Sequence, residues 1–311
     1  MIPALAIEGL TAFAPGRGAK PMIVADLSLD IWPGELLGIV GESGSGKTTL
    51  ARAAIGLIRA ASGRIAVDGE VLPDLSERSF RRLRRRVALI FQNPAGSFNP
   101  RLSVKAILKE ALRGLESSRT PAALLDMVGL DAGLLERFPH ALSGGQARRV
   151  AVARALAADP AVIIADEPTA GLDVSAQGET MNLLTELRDR RGVAVVCITH
   201  NLPIVRHCCD RIAVMYLGRI VETGPARTMT AAPLHPYTAA LLAAEPAPDP
   251  ARRRTGPPVL GEVPSLYTRP AGCEFHPRCP RAAERCRTEA PTVRDLGQAR
   301  TVRCHYPLEA A

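Results

Sequence analysis

Residues 41–49 read Gly41-Glu42-Ser43-Gly44-Ser45-Gly46-Lys47-Thr48-Thr49, which is the form G-x-x-x-x-G-K-T of a phosphate-binding loop. An apolar run typical of a buried strand, Leu36–Val40, precedes it, and residues 48–58 are rich in good helix formers. Strand, glycine loop and helix is the context in which this pattern binds a nucleotide. Backbone N–H groups and the helix N-terminus attract phosphate, Lys47 can reach the β- and γ-phosphates, and the Thr48 hydroxyl can ligate Mg²⁺. The stretch predicts an ATP or GTP site.

Length and composition bound the class of protein. The chain has 311 residues, enough for one large domain or two modest ones, and 47% of them are hydrophobic. No apolar run approaches the roughly 18 residues of a membrane-spanning helix. The first residues show no secretory signal, so we expect a cytosolic protein.

The formal net charge of +8 is densest at 81–86, where five of six residues are arginine. No aromatic residues interleave with these arginines, as a surface for single-stranded nucleic acid would require. We therefore interpret the run as a solvated helix end and expect no nucleic-acid partner.

The rest of the chain alternates between strand-like and helix-like stretches. Continuous apolar runs, which favour parallel strands buried on both faces, occur at Val87–Phe91, Val162–Ala165, Val193–Thr199 and Ile212–Tyr216. Helical patterns at 146–158 and 175–190 lie between them. This alternation predicts an α/β core. Residues 95–158 contain no convincing strand and predict an inserted helical subdomain.

Two further motifs carry chemistry. The apolar run 162–165 ends in Asp166 and Glu167, where Asp166 could hold Mg²⁺ and Glu167 could polarise the water that attacks the γ-phosphate. Residues 142–146 read Leu-Ser-Gly-Gly-Gln. Ser143 and Gln146 fit a capping box, and Gly144 and Gly145 leave backbone N–H groups uncovered, so this helix start is a second candidate anion site.

With these three motifs in this order, the chain resembles the ATP-binding subunit of an ABC transporter. Residues 41–49 are similar to its Walker A motif, 162–167 to its Walker B motif and 142–146 to its signature sequence. The resemblance implies a P-loop NTPase (RecA-like) α/β core with an antiparallel β subdomain and an inserted α-helical subdomain. It also implies ATP hydrolysis with Mg²⁺, held by Thr48, Asp166 and Gln92.

Four more positions take their roles from this resemblance. Gln92 follows a strand and would sense the γ-phosphate, and His200 would hold the attacking water and Glu167 in line. Asp173 lies in the loop after Walker B. Phe13 is the candidate for stacking on adenine, with Ala14 as the second possibility, because a shift of one residue on a strand points to the other face.

The resemblance also implies partners. Two such subunits face head to tail, so that the phosphate loop of each meets residues 143–146 of the other. The second subunit would be a different ABC ATPase or a copy of this chain. Two integral membrane permeases and an extracytoplasmic solute-binding protein complete the importer, which would place this chain at the cytoplasmic face of the cell membrane.

Longer stretches sharpen the resemblance to oligopeptide and dipeptide importer ATPases, and among these to the F-type member of the pair. They are residues 91–101, 214–222 and 235–238. Nickel importers and some glutathione or sugar importers belong to the same group, so the cargo stays open. A soluble ABC-type ATPase that acts on DNA or the ribosome is a competing hypothesis from another class, but such proteins carry coiled coils, zinc inserts or fused halves, which this sequence lacks.

The end of the chain is rich in cysteine. We expect an ATPase domain over residues 1–245, then a linker and a Cys-rich extension over 246–311. Some relatives hold a [4Fe–4S] cluster on cysteines that resemble Cys273, Cys279, Cys286 and Cys304. A zinc site and unliganded thiols also stay open, since the spacing fits neither a C-x-x-C zinc pattern nor a ferredoxin run. For Cys197, Cys208 and Cys209 we expect packing in the core.

Overall fold

A computed structural model describes residues 1–16, 20–115, 118–244 and 261–309. Its strands are β1 (Leu5–Phe13), β2 (Met22–Ile31), β3 (Leu36–Val40), β4 (Ala60–Val67), β5 (Glu70–Val71), β6 (Val87–Ile90), β7 (Val162–Asp166), β8 (Ala194–Thr199), β9 (Arg211–Tyr216), β10 (Arg219–Pro225), β11 (Arg294–Asp295) and β12 (Thr301–Val302). Its helices are α1 (Lys47–Ala54), α2 (Glu77–Leu83), α3 (Val104–Leu112), α4 (Pro121–Asp126), α5 (Gly144–Ala155), α6 (Val174–Arg191), α7 (Leu202–Cys208), α8 (Ala226–Ala231), α9 (Pro236–Ala243) and α10 (Glu284–Thr288). In the part of the chain that the structure describes, no helix has the length and apolarity to cross a membrane.

The chain divides into two compact units, each assembled from several segments. Unit 1 comprises Met1–Ala6, Asp30–Leu36 and Ile65–Ile198, and unit 2 comprises Ile7–Leu29, Leu37–Arg64 and Thr199–Ala311. The predicted linker after residue 245 falls on 246–260, outside the described residues.

Unit 1 contains three parallel strands in the order β8-β7-β6. The register pairs Val87 with Val162 and Val162 with Ala194. Every residue of β7 is buried, which confirms the interpretation of a continuous apolar run as a strand covered on both faces.

The stretch between β6 and β7 is helical, and its described residues contain no strand. α3, α4 and α5 pack on one another, with Leu108, Leu124 and Val150 fully buried among them. Thr120 caps α4 by accepting a hydrogen bond from the Ala123 N–H, and Pro121 follows at the first helical position.

Unit 2 contains β3 parallel to β9, with Val40 opposite Val214. β9 and β10 form an antiparallel hairpin with a register shift between Ile220 and Glu222. β12 pairs antiparallel with β10 and β11 with β12, so the end of the chain extends this sheet past β10. These strands cover an edge of β10 that would otherwise present unpaired backbone groups.

The remaining strands form a sheet in the order β2-β1-β4-β5, in which β1 and β2 alternate between more buried and more exposed residues and β5 is exposed. The Gly9 N–H donates to the Ser28 Oγ, and the Asp26 N–H donates to the Thr11 Oγ1. Residue numbers therefore increase along β1 while those of the facing residues in β2 decrease, which shows that the two strands are antiparallel. β4 and β5 are likewise antiparallel.

One helix ends earlier than the sequence predicts. The good helix formers run to residue 58, but α1 ends at Ala54 because Gly56 takes a left-handed φ of 70°, and its N–H donates to the Ala53 carbonyl. A left-handed glycine just past the last turn is a common helix stop.

Candidate functional site

The phosphate loop lies in unit 2 between β3 and α1. The Lys47 side chain is buried, and its Nζ donates to the carbonyl oxygens of Gly41 at 2.7 Å and Glu42 at 2.9 Å. The side chain therefore already lies across the loop, and phosphate oxygens can replace these carbonyls as its acceptors. Thr48 is half-buried in the first turn of α1. Ser43, Gly44 and Ser45 form the part of the loop between Glu42 and Gly46, and Thr49 follows Thr48 in α1.

Two glycines of this loop have no room for a side chain. A Cβ at Gly41 would collide with the backbone carbonyl oxygen of Met215. Gly46 has a φ of 102°, and a Cβ there would lie 2.9 Å from the carbonyl oxygen of Ile23. The glycines thus allow the close backbone approach that presents N–H groups to phosphate.

His200 lies beside the same loop. It is exposed directly after β8, and with Gly41 and Glu42 it lines a cavity of about 520 Å³ in unit 2. Asn201, the next residue, caps α7 by accepting a hydrogen bond from the Ile204 N–H. Unit 2 therefore brings the predicted γ-phosphate histidine to the start of the phosphate loop.

Two residues that the sequence analysis missed also contact the loop. Arg278 donates to both carboxylate oxygens of Glu42, at 2.7 and 2.9 Å, and the Glu42 N–H donates to the Tyr237 hydroxyl at 2.9 Å. Tyr237 lies in the first turn of α9, and Arg278 adjoins Cys279. Both are more than 190 positions from Glu42, so no local sequence pattern reports them.

Unit 1 holds the two acidic residues at the end of β7. Asp166 is buried, and Glu167 is half-buried with a left-handed φ of 51°. The Glu167 N–H donates to the Ile198 carbonyl at 2.8 Å, which ties this strained residue to the adjacent strand. The end of β7 therefore carries two consecutive carboxylates, one buried (Asp166) and one half-buried (Glu167).

The predicted capping box is present at the start of α5. The Ser143 Oγ accepts from the Gln146 N–H at 3.2 Å, and the Gln146 Oε1 accepts from the Ser143 N–H at 3.0 Å. Gly144 and Gly145 are exposed, and an added Cβ at either would meet no atom within 4 Å. Within this chain the helix start is therefore open, and its N-terminal N–H groups are accessible to an anion.

The helix start and the loop after β7 are joined by Arg148, a third residue that the sequence analysis missed. Its Nη2 donates to the Ala170 carbonyl at 3.2 Å, and its Nε and Nη1 are buried without a partner among the described residues. Burial lowers the pKa of Arg148. Asp173, at the end of this loop, is exposed and caps α6 by accepting from the Ala176 N–H at 2.9 Å.

Two predicted residues lie at strand ends. Gln92 is exposed just after β6 in unit 1. Phe13 is the last residue of β1 in unit 2 and is 39% exposed, while Ala14 is half-buried. Adenine stacking by either residue stays a prediction.

The four cysteines of the extension line one small cavity, together with His276 and His305. Burial raises the pKa of Cys273 to about 12, and it also raises the pKa values of Cys279 and Cys304. Among the described residues, no three His, Cys, Asp or Glu side chains are arranged as ligands of a metal ion. Of the other cysteines, Cys197 and Cys209 are buried and Cys208 is half-buried.

Comparisons with known proteins agree with these motifs. The ABC transporter profile matches residues 24–170, and the profile "Oligopeptide/dipeptide transporter, C-terminal region" matches 221–286. A probable peptide ABC transporter ATP-binding protein of Sinorhizobium fredii is 46% identical over 99% of this chain and 91% of its own length. A putative peptide import ATP-binding protein of Brucella ovis is 42% identical over 94% and 95%.

Solved structures show the same class of fold. CbiO1 of Clostridium perfringens, part of the ABC transporter complex CbiONQ, has a TM-score of 0.66 and 30% identity, and the match covers 74% of this chain and 92% of that one. The ATP-binding cassette MJ0796, a dimer bound to ADP and phosphate, has a TM-score of 0.64 and 27% identity over 72% and 99%. These are P-loop ATPase domains of mixed α/β fold.

The chain belongs to the ATP-binding proteins of ABC transporters, and its C-terminal region is of the oligopeptide/dipeptide type. ATP is therefore its nucleotide, and ATP hydrolysis is its reaction. The resemblance stated from the sequence is confirmed.

Proposed function

We propose that this chain hydrolyses ATP to drive the import of peptides through a membrane complex. The observation that carries the proposal is the open, doubly capped start of α5 at Ser143–Gln146, in a chain that also has a complete phosphate loop. The names of the relatives from Sinorhizobium fredii and Brucella ovis support peptides as the cargo.

The site residues have separate roles in binding ATP and in hydrolysing it. The loop binds the phosphates through its N–H groups and Lys47, while Thr48, Gln92 and Asp166 hold Mg²⁺, which neutralises developing charge. Glu167 accepts a proton from the attacking water, and His200 orients that water. Phe13 stacks on the adenine.

The second half of the site comes from another subunit. The exposed segment 143–146 of one chain covers the γ-phosphate held by the other, and Asp173 contacts the partner near the same place. The dimer of MJ0796 bound to ADP and phosphate supports the pairing of two such subunits. The partner is a second ABC ATPase, and the pair binds two permeases at the cytoplasmic face of the membrane, with a solute-binding protein on the far side.

We assign residues 1–245 to the ATPase domain, with an antiparallel β subdomain and a helical subdomain over 95–158. Residues 246–311 form the linker and the Cys-rich extension. The helices between β6 and β7 support the helical subdomain. The match of the C-terminal profile begins at residue 221 and so does not mark the bound at 245.

The extension has the donor atoms of a [4Fe–4S] cluster, although its described side chains are not arranged as metal ligands in this structure. Four thiols line one cavity, and four thiolates are the ligand set of such a cluster. Cys273, Cys279, Cys286 and Cys304 would hold it, and the bound cluster would cross-link the extension and would require loss of the thiol protons. Iron analysis and absorbance near 400 nm on anaerobically purified protein test this; a protein with neither holds no cluster.

Uptake in cells tests the function. A strain without this gene is expected to lose uptake of labelled di- or oligopeptides and to regain it with the wild-type gene but not with Glu167→Gln. Glu70→Gln, which changes an exposed glutamate of β5, is the matched control and should restore uptake. Normal peptide uptake in the deletion strain, with loss of nickel or glutathione uptake instead, would contradict peptides as the cargo.

A further inference from the structure

The C-terminal extension reaches the phosphate loop through a few defined contacts within unit 2. Phe275 packs against Tyr216 and Tyr237, with ring centroids 5.3 and 5.4 Å apart, and the two tyrosine rings are 4.6 Å apart. All three rings are fully or almost fully buried. This aromatic cluster fixes the single helical turn His276–Arg278 that follows Phe275.

Arg278 extends from this turn to the loop. Its guanidinium lies 5.9 Å from the centroid of the Tyr216 ring and forms the two-pronged ion pair with Glu42. Arg278 is 5% exposed and Glu42 27%, so solvent screens this pair less than a surface pair. The hydrogen bond to Glu42 raises the pKa of Arg278 above its already high value, so the charge is permanent.

The negative charge of Glu42 is unfavourable in a site that binds a polyanion. Its carboxylate belongs to the same loop whose N–H groups receive phosphate, and an uncompensated negative charge there would repel ATP. Arg278 cancels that charge. It also holds the loop residue whose carbonyl accepts from Lys47 and whose N–H donates to Tyr237.

We propose that Arg278 is a positioning residue for nucleotide binding: it neutralises Glu42 and fixes the start of the phosphate loop, so that the Cys-rich extension sets the affinity for ATP. The proposal rests on the loop binding nucleotide and goes beyond that assignment. It gives the extension a role in the ATPase reaction that is independent of the cargo and of any metal.

The test measures nucleotide affinity of purified chains. Arg278→Gln is expected to raise the Kd for MgATP roughly tenfold, as loss of a charge-assisted pair beside a polyanion implies. The Kd for MgADP should rise less, because ADP carries one negative charge fewer, and added salt should shrink both effects. At saturating ATP, kcat should stay near that of the wild type while KM rises.

A double variant separates charge from general damage. Glu42→Gln combined with Arg278→Gln removes both charges and should return the Kd for ATP to within about threefold of the wild type, since no unpaired carboxylate remains. Arg285→Gln is the control, because Arg285 forms an exposed ion pair with Glu289 in the same extension, and it should change nothing. Thermal melting of each variant reports its folding.

Two results would overturn the proposal. One is wild-type ATP affinity in Arg278→Gln. The other is a double variant that binds ATP as weakly as Arg278→Gln alone, which would mean that the arginine acts only by supporting the fold. Permeases are absent from the assay, so failure of peptide import would leave this readout unchanged.

Discussion

Glu167 stands out at the scale of single residues because its backbone and its chemistry are both unusual. It has a left-handed φ of 51° and is held there by a hydrogen bond to Ile198. Such a conformation costs on the order of 1 to 3 kcal/mol in a non-glycine residue and occurs often at active sites. A strained backbone is consistent with a residue whose carboxylate is held in one fixed orientation for catalysis.

The first prediction concerns this carboxylate. Glu167→Gln keeps the size of the side chain and one acceptor oxygen but removes the base, so turnover should fall on the order of a hundredfold or more. ATP affinity should stay unchanged, measured by equilibrium binding with steady-state ATPase assays alongside. Near-normal turnover would mean that another residue activates the water.

Lys47 gives the second prediction. Because its Nζ lies within the loop and would exchange the carbonyls of Gly41 and Glu42 for phosphate, Lys47→Ala should weaken ATP binding itself. Titration with a fluorescent ATP analogue measures this. Unchanged affinity would contradict the assignment of the loop.

The third prediction is a dependence of stability on pH. Burial lowers the pKa of His235 to about 3, and its Nδ1 accepts a hydrogen bond from the N–H of Tyr237 in the first turn of α9. A folded-state pKa below the unfolded value of about 6.5 means that protonation favours unfolding. His235 therefore stabilises the fold fully above pH 6.5, and stability falls by roughly 1.4 kcal/mol per pH unit as the pH drops from there towards 3.

Urea unfolding at pH 7 and pH 5 measures this term. His235→Asn keeps an oxygen that can accept from the Tyr237 N–H but does not titrate, so its stability should fall less between the two pH values. Equal losses in both proteins would show that other groups cause the acid sensitivity.

At the scale of residues, the sequence predicted site residues that lie in short motifs but not those that contact residues far away in the chain. The loop, Asp166, Glu167 and the capping box could be predicted because each lies in a short run of fixed spacing. Arg148 and Arg278 could not, because an arginine that binds a distant carbonyl or carboxylate has no local pattern.

Helix α5 carries the prediction at the scale of elements. Gly144 is exposed and has open space around it, so Gly144→Asp should fold normally and bind ATP as a single chain. In the dimer the new carboxylate would face the γ-phosphate of the other subunit, and like charges there should lower turnover on the order of a hundredfold. Gly144→Ala adds bulk without charge and should lose much less; equal losses would indicate a steric cause.

The strands differ in how accurately they could be predicted from the sequence. β3, β6, β7, β8 and β9 are nearly continuous apolar runs, because they are covered on both faces, and each was predicted to within about two residues. β1, β2 and β4 alternate between buried and exposed positions, and no apolar run marks them. The resemblance to a family, rather than the pattern, led to the expectation of an antiparallel sheet.

At the scale of the whole molecule, each unit carries only part of the machinery. Unit 2 holds the phosphate loop and His200, and unit 1 holds Gln92, the Asp166–Glu167 pair and the α5 start. The motifs identified the class from the sequence alone because they encode chemistry that is shared by all its members. The motifs carry no corresponding mark of the cargo or of the partner subunit.

The central claim is that ATP hydrolysis requires two chains, because residues 143–146 of one must complete the phosphate site of the other. Turnover per chain, measured over a range of protein concentrations with sedimentation velocity on the same samples, tests it most directly. Turnover should rise with the fraction of ATP-bound dimer, formed with a second copy or with added partner ATPase, and should vanish in dilute monomer. Full turnover in a sample that sediments entirely as monomer would contradict the claim.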